Sequence, residues 1–416
     1  MGMMEEETLN IGKCHLSDFF MDLKGQLSLV SGLIPLPDDI TLEDVRRPML
    51  VIGKPGIGKT CGILSILNEL NEQLPEGKKF GMKKILLGQT IVGELSGVDV
   101  INPADGSMRK SQSPNLPRVE KDGEYGVLFL DEITTADEAQ IQPALGLADD
   151  TRSIGEYTLP EHWIVVAAGN GPDCANFIKM DDMTLTRFQA YDVLYDYKKD
   201  WRPWAHANGI DPLIIAYLNF NPTAVVDVVS TEMDKAGKMF ACPRTWTRLS
   251  TELKIRKAQN RPVSQAELYS FSSRIIGEKA AKDFSSFAAF QQKIDYDVEK
   301  IVDGTERDPN GVIAIEAYHI LIQGITKTLQ AVVKSGTVSA GEFTEEVYIK
   351  VGNALTWIIK LEKFMLEQVL NGIVEIREEV PNMSSIMLDD DFIPYCPSLE
   401  QFIANHCQAL SEVLAG

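Results

Sequence analysis

Residues 50–70 read LVIGKPGIGKTCGILSILNEL. Within them Gly53, Lys54, Pro55, Gly56, Ile57, Gly58, Lys59 and Thr60 complete a GxxxxGK[ST] pattern, which follows the apolar run 49–52 and leads into a helix-forming run that begins at Cys61. Strand, glycine-rich turn and helix in that order have a physical logic. Backbone N–H groups converge on an anion only where no Cβ obstructs them, and a helix N-terminus adds unpaired N–H groups and a positive dipole end. Residues 53–61 are therefore expected to cradle phosphates. Lys59 would face the β and γ positions, and the Thr60 hydroxyl would ligate Mg²⁺.

The stretch 48–196 alternates short apolar runs (49–52, 85–87, 127–130, 164–168, 191–194) with amphipathic segments. Such runs predict buried parallel strands joined by crossover helices, an α/β three-layer sandwich. The run 127–130 ends in Asp131 and Glu132. After a P-loop, the first acid is expected to order Mg²⁺ and the second to polarise an attacking water. The run 164–168 ends in Gly169 and the polar amide Asn170. TTADEAQIQPAL, residues 134–145, predicts a helix capped near Thr135 and kinked at Pro143. From 92 to 124 the periodicity disappears and 11 of 33 residues are Gly, Pro or Ser, which predicts an insertion loop outside the sheet.

With 416 residues, two or three structural units are expected. Residues 1–197 would form the α/β core. A helical lid over 198–294 would contain helices near 212–220, 244–255 and 277–294, and 295–416 would form a further helical region with a hairpin of 313–333 and 347–373. The N-terminus MGMMEEETLN has acids where a signal peptide has cations, and Glu6 stands where an acylation motif at Gly2 needs Ser or Thr. No apolar run reaches the roughly 18 residues of a membrane span. A soluble, cytoplasmic protein is expected. Six scattered cysteines form no CxxC pair, so mostly buried, reduced thiols are expected. His162, His206 and His319 lack partners at metal-ligand spacing and are taken as structural or surface residues.

The ordered motifs GKPGIGKT (53–60), VLFLDEI (127–133), VVAAGN (165–170), LTRF (185–188) and CPRTW (242–246) resemble the MoxR branch of the AAA+ ATPases, within the clade carrying an insertion before the Asp-Glu strand. The resemblance spans about residues 20–290. It implies an ATP hydrolase built as a homo-oligomeric ring, a hexamer, with ATP and Mg²⁺ bound at subunit interfaces. It also implies catalytic roles for Glu132, Asn170 as sensor 1, Arg187 as a finger acting on a neighbour, and Arg244 as sensor 2, with Arg248 competing for that last role. Thr60 and Asp131 would hold the metal. Segment 92–124 would contain the helix-2 insert that lines a central pore in relatives; Arg109, Lys110 and Arg118 could form a basic ring there or be solvated loop charges. A remodelled protein client and a von Willebrand factor A-domain partner are implied by resemblance alone.

Two other readings stand beside this one: a nucleotide-gated scaffold with negligible turnover, and a nucleic-acid motor or loader. Forty basic against sixty acidic residues give a net charge of -20, which opposes binding to a phosphate backbone. No membrane or nucleic-acid partner is therefore expected. Duplex DNA should show no measurable binding at physiological salt; a steep linear fall of log affinity with log salt would instead favour the motor.

Overall fold

The computed structural model describes residues 11–172, 174, 178, 180–226, 239–289, 294, 296–339 and 342–415. Among them the chain divides into two compact units, the first running to Asp200 and the second starting at Trp201.

The first unit is built on six parallel strands: β1 (Lys13–Cys14), β2 (Met49–Ile52), β3 (Phe80–Leu86), β4 (Tyr125–Asp131), β5 (His162–Gly169) and β6 (Gln189–Val193). Their spatial order is β1-β6-β2-β5-β4-β3. The α/β sandwich expected from the apolar runs is thus present. Central β2 is buried along its whole length, and Val127 to Leu130 of β4 are inaccessible to solvent, which explains why these strands read as unbroken apolar runs. Edge strand β3 starts earlier than the run 85–87 because its outer residues, Gly81 to Lys84, are partly exposed. Leu87 belongs to the 3-10 turn that follows. Two-residue β1, paired with Asp192 and Val193, is too short to leave a periodic signal.

Helix α1 (Leu16–Val30) packs against α2 (Lys59–Asn71), the helix that the P-loop opens. Contact is close at Gly62, where a Cβ would lie 1.9 Å from the Phe20 ring, so any larger residue requires that ring to move. Helix α3 (Glu138–Leu145) corrects two expectations. Its cap is Asp137, whose Oδ1 accepts from Gln140 N at 2.9 Å; Thr135 lies in a 3-10 turn, and its hydroxyl donates to Glu132 O. Pro143 sits in the last turn, and the helix ends at Leu145 rather than continuing beyond a kink. The insertion 92–124 stays out of the main sheet but has its own structure: a short helix Val92–Ser96, a hairpin of Asp99–Ile101 with Met108–Lys110, and a turn of helix Val119–Asp122.

The second unit is helical. Helices α4 (Pro212–Phe220), α5 (Pro243–Ala258), α6 (Gln265–Ile276) and α7 (Glu278–Ala288) precede α8 (Ile315–Gly336), α9 (Glu345–Ile359), α10 (Glu362–Glu379) and α11 (Pro397–Ala415). The expected long helix 347–373 is two, parted at Lys360 and Leu361 with both apolar stripes buried in the same core. Helix α4 lies along α8, so residues on both sides of the expected boundary near 295 share one compact unit. Cys242 and Cys396 are buried, Cys14 and Cys174 half-buried, and Cys61 and Cys407 exposed; all six are free thiols, which corrects the expectation that most are buried. None of the described helices is long and apolar enough to cross a membrane.

Buried polar groups lie between α4, α8 and α10. Glu375 accepts hydrogen bonds from Asn219 Nδ2 at 2.9 Å and from Gln323 Nε2. Burial pushes its carboxyl up from 4.5 to about 7, against the pull of Arg202. Burial also holds His206 and His319 down at about 4, which makes both structural, neutral imidazoles near pH 7. A carboxyl with a raised pKa contributes stability that is fully present below pH 4.5 and lost as pH rises through 7. Glu375→Gln keeps the acceptor without the charge. Its thermal midpoint relative to wild type should rise between pH 5 and pH 8, the gap corresponding to about 3 kcal/mol. A difference that does not change with pH would show that Glu375 does not titrate there.

Candidate nucleotide-binding site

Strands β2, β5 and β4 end side by side. Ile52 pairs with Gly169, and Leu130 with Ala167, so Gly53, Asn170 and Asp131 lie together at the carboxyl edge of three adjacent strands. Open α/β sheets bind ligands at this edge. Gly56 and Gly58 adopt φ of 76° and 105°, a region closed to most L residues, and Gly58 caps α2 directly. Ile57 is buried and anchors the loop from below, while Lys54, Pro55, Gly56, Lys59 and Thr60 remain partly exposed and Cys61 is exposed. Lys59 Nζ donates to the carbonyls of Gly53 at 2.6 Å and Lys54 at 3.2 Å, so its ammonium is folded over the loop it belongs to.

Asp131 ends β4. Its Oδ1 accepts from Glu132 N at 3.0 Å, and its Oδ2 pairs with Lys84 Nζ at 2.7 Å. Glu132 has φ 59° and ψ 33°, a left-handed conformation that costs a non-glycine residue about 1 kcal/mol or more. The chain turns there so that Thr134 reaches β5. Thr134 is fully buried, and its hydroxyl accepts from Asn170 N at 2.9 Å, fixing the end of β5 against the end of β4. Motif spacing reveals neither Thr134 nor Lys84. Thr134 lies two residues past the acidic pair, and Lys84 is on an edge strand whose register with Asp131 only the folded sheet supplies.

The donors suit Mg²⁺. A hydroxyl from Thr60 and a carboxylate from Asp131 are the hard oxygen ligands it prefers, and the Lys84 ammonium already shows that this carboxylate takes up a cation. Among the described residues no group of three or more His, Cys, Asp or Glu could hold a metal alone. A metal with one or two protein ligands and the rest from phosphate oxygens matches the usual habit of Mg²⁺.

Arg187 lies elsewhere. It precedes β6, whose first residue Gln189 pairs with Met49 at the start of β2, so it sits at the amino edge of the sheet. The length of β2 alone puts roughly 13 Å between that edge and the P-loop. Arg187 Nη1 pairs with Asp149 Oδ2 at 2.5 Å, within a cavity of about 520 Å³ that Arg46, Arg47 and Arg152 also line. Arg244 and Arg248 belong to the second unit. Both are exposed, one turn apart at the start of α5, where Pro243 opens the helix.

No family model matches the chain, and no curated protein does. Solved structures to which it is similar include a candidate ATPase from Cytophaga hutchinsonii, at 11% identity and TM-score 0.28, covering 88% of this chain and 82% of the other. PCH-2 of C. elegans is 10% identical at TM-score 0.30, over 66% of this chain and 69% of its own. A full-length MCM homologue from Methanopyrus kandleri is 13% identical at TM-score 0.24, over 66% and 62%. At these scores the likenesses assign neither family nor activity. The fold class rests on the sheet itself, a parallel P-loop α/β fold followed by helices.

The left-handed turn at Glu132 is testable apart from any activity. Glu132→Gly and Glu132→Ala both remove the carboxylate, but only glycine accepts φ 59° without penalty. The glycine variant should be the more stable by about 1 kcal/mol in urea unfolding. Equal stabilities would show that the turn is unstrained.

Proposed function

We propose that this chain is an ATP hydrolase of the AAA+ type, MoxR-like in its motif order, that works as a ring and remodels a protein client. The observation that carries the reading is the convergence of the P-loop, Asn170 and the Asp131–Glu132 pair at one edge of the sheet. Residues 53–61 bind the triphosphate through backbone N–H groups, with Lys59 leaving its loop carbonyls for the β and γ phosphates. Thr60 and Asp131 would hold Mg²⁺, which neutralises charge on the phosphates. Glu132 accepts a proton from the attacking water, and Asn170 orients that water or the γ-phosphate.

Arg187 is too far from its own P-loop to act there, which supports a role toward a neighbouring subunit's nucleotide. Its charge would stabilise the transferring phosphoryl group in trans. Arg244 or Arg248 would serve as the lid's contact to nucleotide. The insertion hairpin exposes Val98, Ile101 and Met108 beside Arg109 and Lys110, a mixed apolar and basic surface suited to contact with a client or an A-domain partner.

Three variants test the scheme. Lys59→Ala should lose ATP binding in calorimetry, and Glu132→Gln should keep binding while turnover falls by several orders of magnitude. Arg187→Ala and Lys59→Ala should each be inactive alone, yet mixtures should regain part of the wild-type rate, greatest at an intermediate ratio. Mixed rings shown by crosslinking to co-assemble without regaining activity would remove Arg187 from the shared site. Near wild-type turnover in Glu132→Gln would place the base elsewhere.

A further inference from the structure

The carboxyl edge carries a cation that the scheme above does not use. Leu86 pairs with Asp131 across β3 and β4, and Lys84 pairs with Phe129, so Lys84 lies diagonally behind Asp131 on the same face. Its stem runs along Phe129, with Nζ 5.6 Å from the ring centroid and 2.7 Å from Asp131 Oδ2. The Lys84 side chain keeps 38% of its exposure and Asp131 18%, so the ammonium can leave this carboxylate for water without being buried.

A divalent ion at Asp131 needs the same carboxylate oxygens, and its charge repels an ammonium held there. Two effects of Lys84 on metal entry therefore oppose each other. By ordering the Asp131 side chain it would favour the metal; by occupying Oδ2 it would disfavour it. Ordering counts for little, because Glu132 N already fixes Oδ1 at 3.0 Å. Competition dominates. We propose that Lys84 is a positioning residue that holds Asp131 in the metal-free protein and must release it when Mg²⁺ and nucleotide enter, so that it weakens the coupling between metal and nucleotide. The inference rests on the reading of Asp131 as a metal ligand.

The test is binding, not turnover. For the full chain, the ratio of the ATP dissociation constant in EDTA to that in excess Mg²⁺ measures how far the metal strengthens nucleotide binding. Removing Lys84 raises this ratio from both sides: bare Asp131 repels the triphosphate when metal is absent, and nothing competes when it is present. Lys84→Met, which keeps the stem on Phe129, should raise the ratio on the order of two- to five-fold, the span of a partly exposed ion pair. Lys84→Gln serves as a second variant with the same expected direction, and Lys84→Arg should stay near wild type. An unchanged or smaller ratio in both Lys84→Met and Lys84→Gln, with Asp131→Asn collapsing it toward one, overturns the role of Lys84 alone. An unchanged ratio in Asp131→Asn overturns the metal-ligand reading as well.

Discussion

The constraint on which the rest depends is the register of β2, β5 and β4. Parallel pairing of Ile52 with Gly169 and of Leu130 with Ala167 brings three strand ends to one level. The P-loop, Asn170 and the Asp131–Glu132 pair therefore stand at the same edge of three adjacent strands, although they come from distant parts of the chain. A one-residue slip in any of these pairings would turn each side chain to the other face and scatter the group. Close packing on both faces of these buried strands holds the register, since a slip would misfit the core side chains on each face. Thr134 adds a side-chain tie at the same level, from the turn after β4 to the backbone of Asn170.

Legibility followed burial and local chemistry. The P-loop could be read because its glycines answer a local demand, positive φ at Gly56 and Gly58 at a helix start. Strands β2, β4 and β5 could be read because burial on both faces removes polar residues. At the sheet edges the signal faded: β1 is two residues long, and β3 has a wet outer half. The cap of α3 was misplaced by two residues because Thr135 and Asp137 are both good caps, and the Glu132 turn, which decides between them, is set by tertiary structure. In the helical unit, α9 and α10 merged into one pattern because each buries its apolar stripe in one shared core. Lys84 and Thr134 were invisible for a different reason: their significance is a contact across strands, which no motif spacing encodes.

Among the intrachain ion pairs, two involve residues of the proposed chemistry, Lys84 with Asp131 and Arg187 with Asp149. They lie on the carboxyl and amino edges of one sheet. Lys84 holds the carboxylate that the proposed metal would need, Arg187 is the charge proposed to act toward a neighbour, and both pairs keep part of their exposure to water. Ion pairs of this kind contribute little to stability, about 1 kcal/mol or less, so they can be broken without endangering the fold. That makes them suited to exchanging partners as nucleotide, metal or a neighbouring subunit arrives.

The central claim is that Mg²⁺-ATP binds at the carboxyl edge formed by β2, β5 and β4. An experimental structure of Glu132→Gln with ATP and Mg²⁺ tests it most directly, because that variant should bind nucleotide and fail to hydrolyse it. Phosphate density is expected against the N–H groups of residues 53–61, with Lys59 withdrawn from the Gly53 carbonyl and metal beside Thr60 and Asp131. Nucleotide found at another surface, or triphosphate at the loop with metal away from both Thr60 and Asp131, would contradict it.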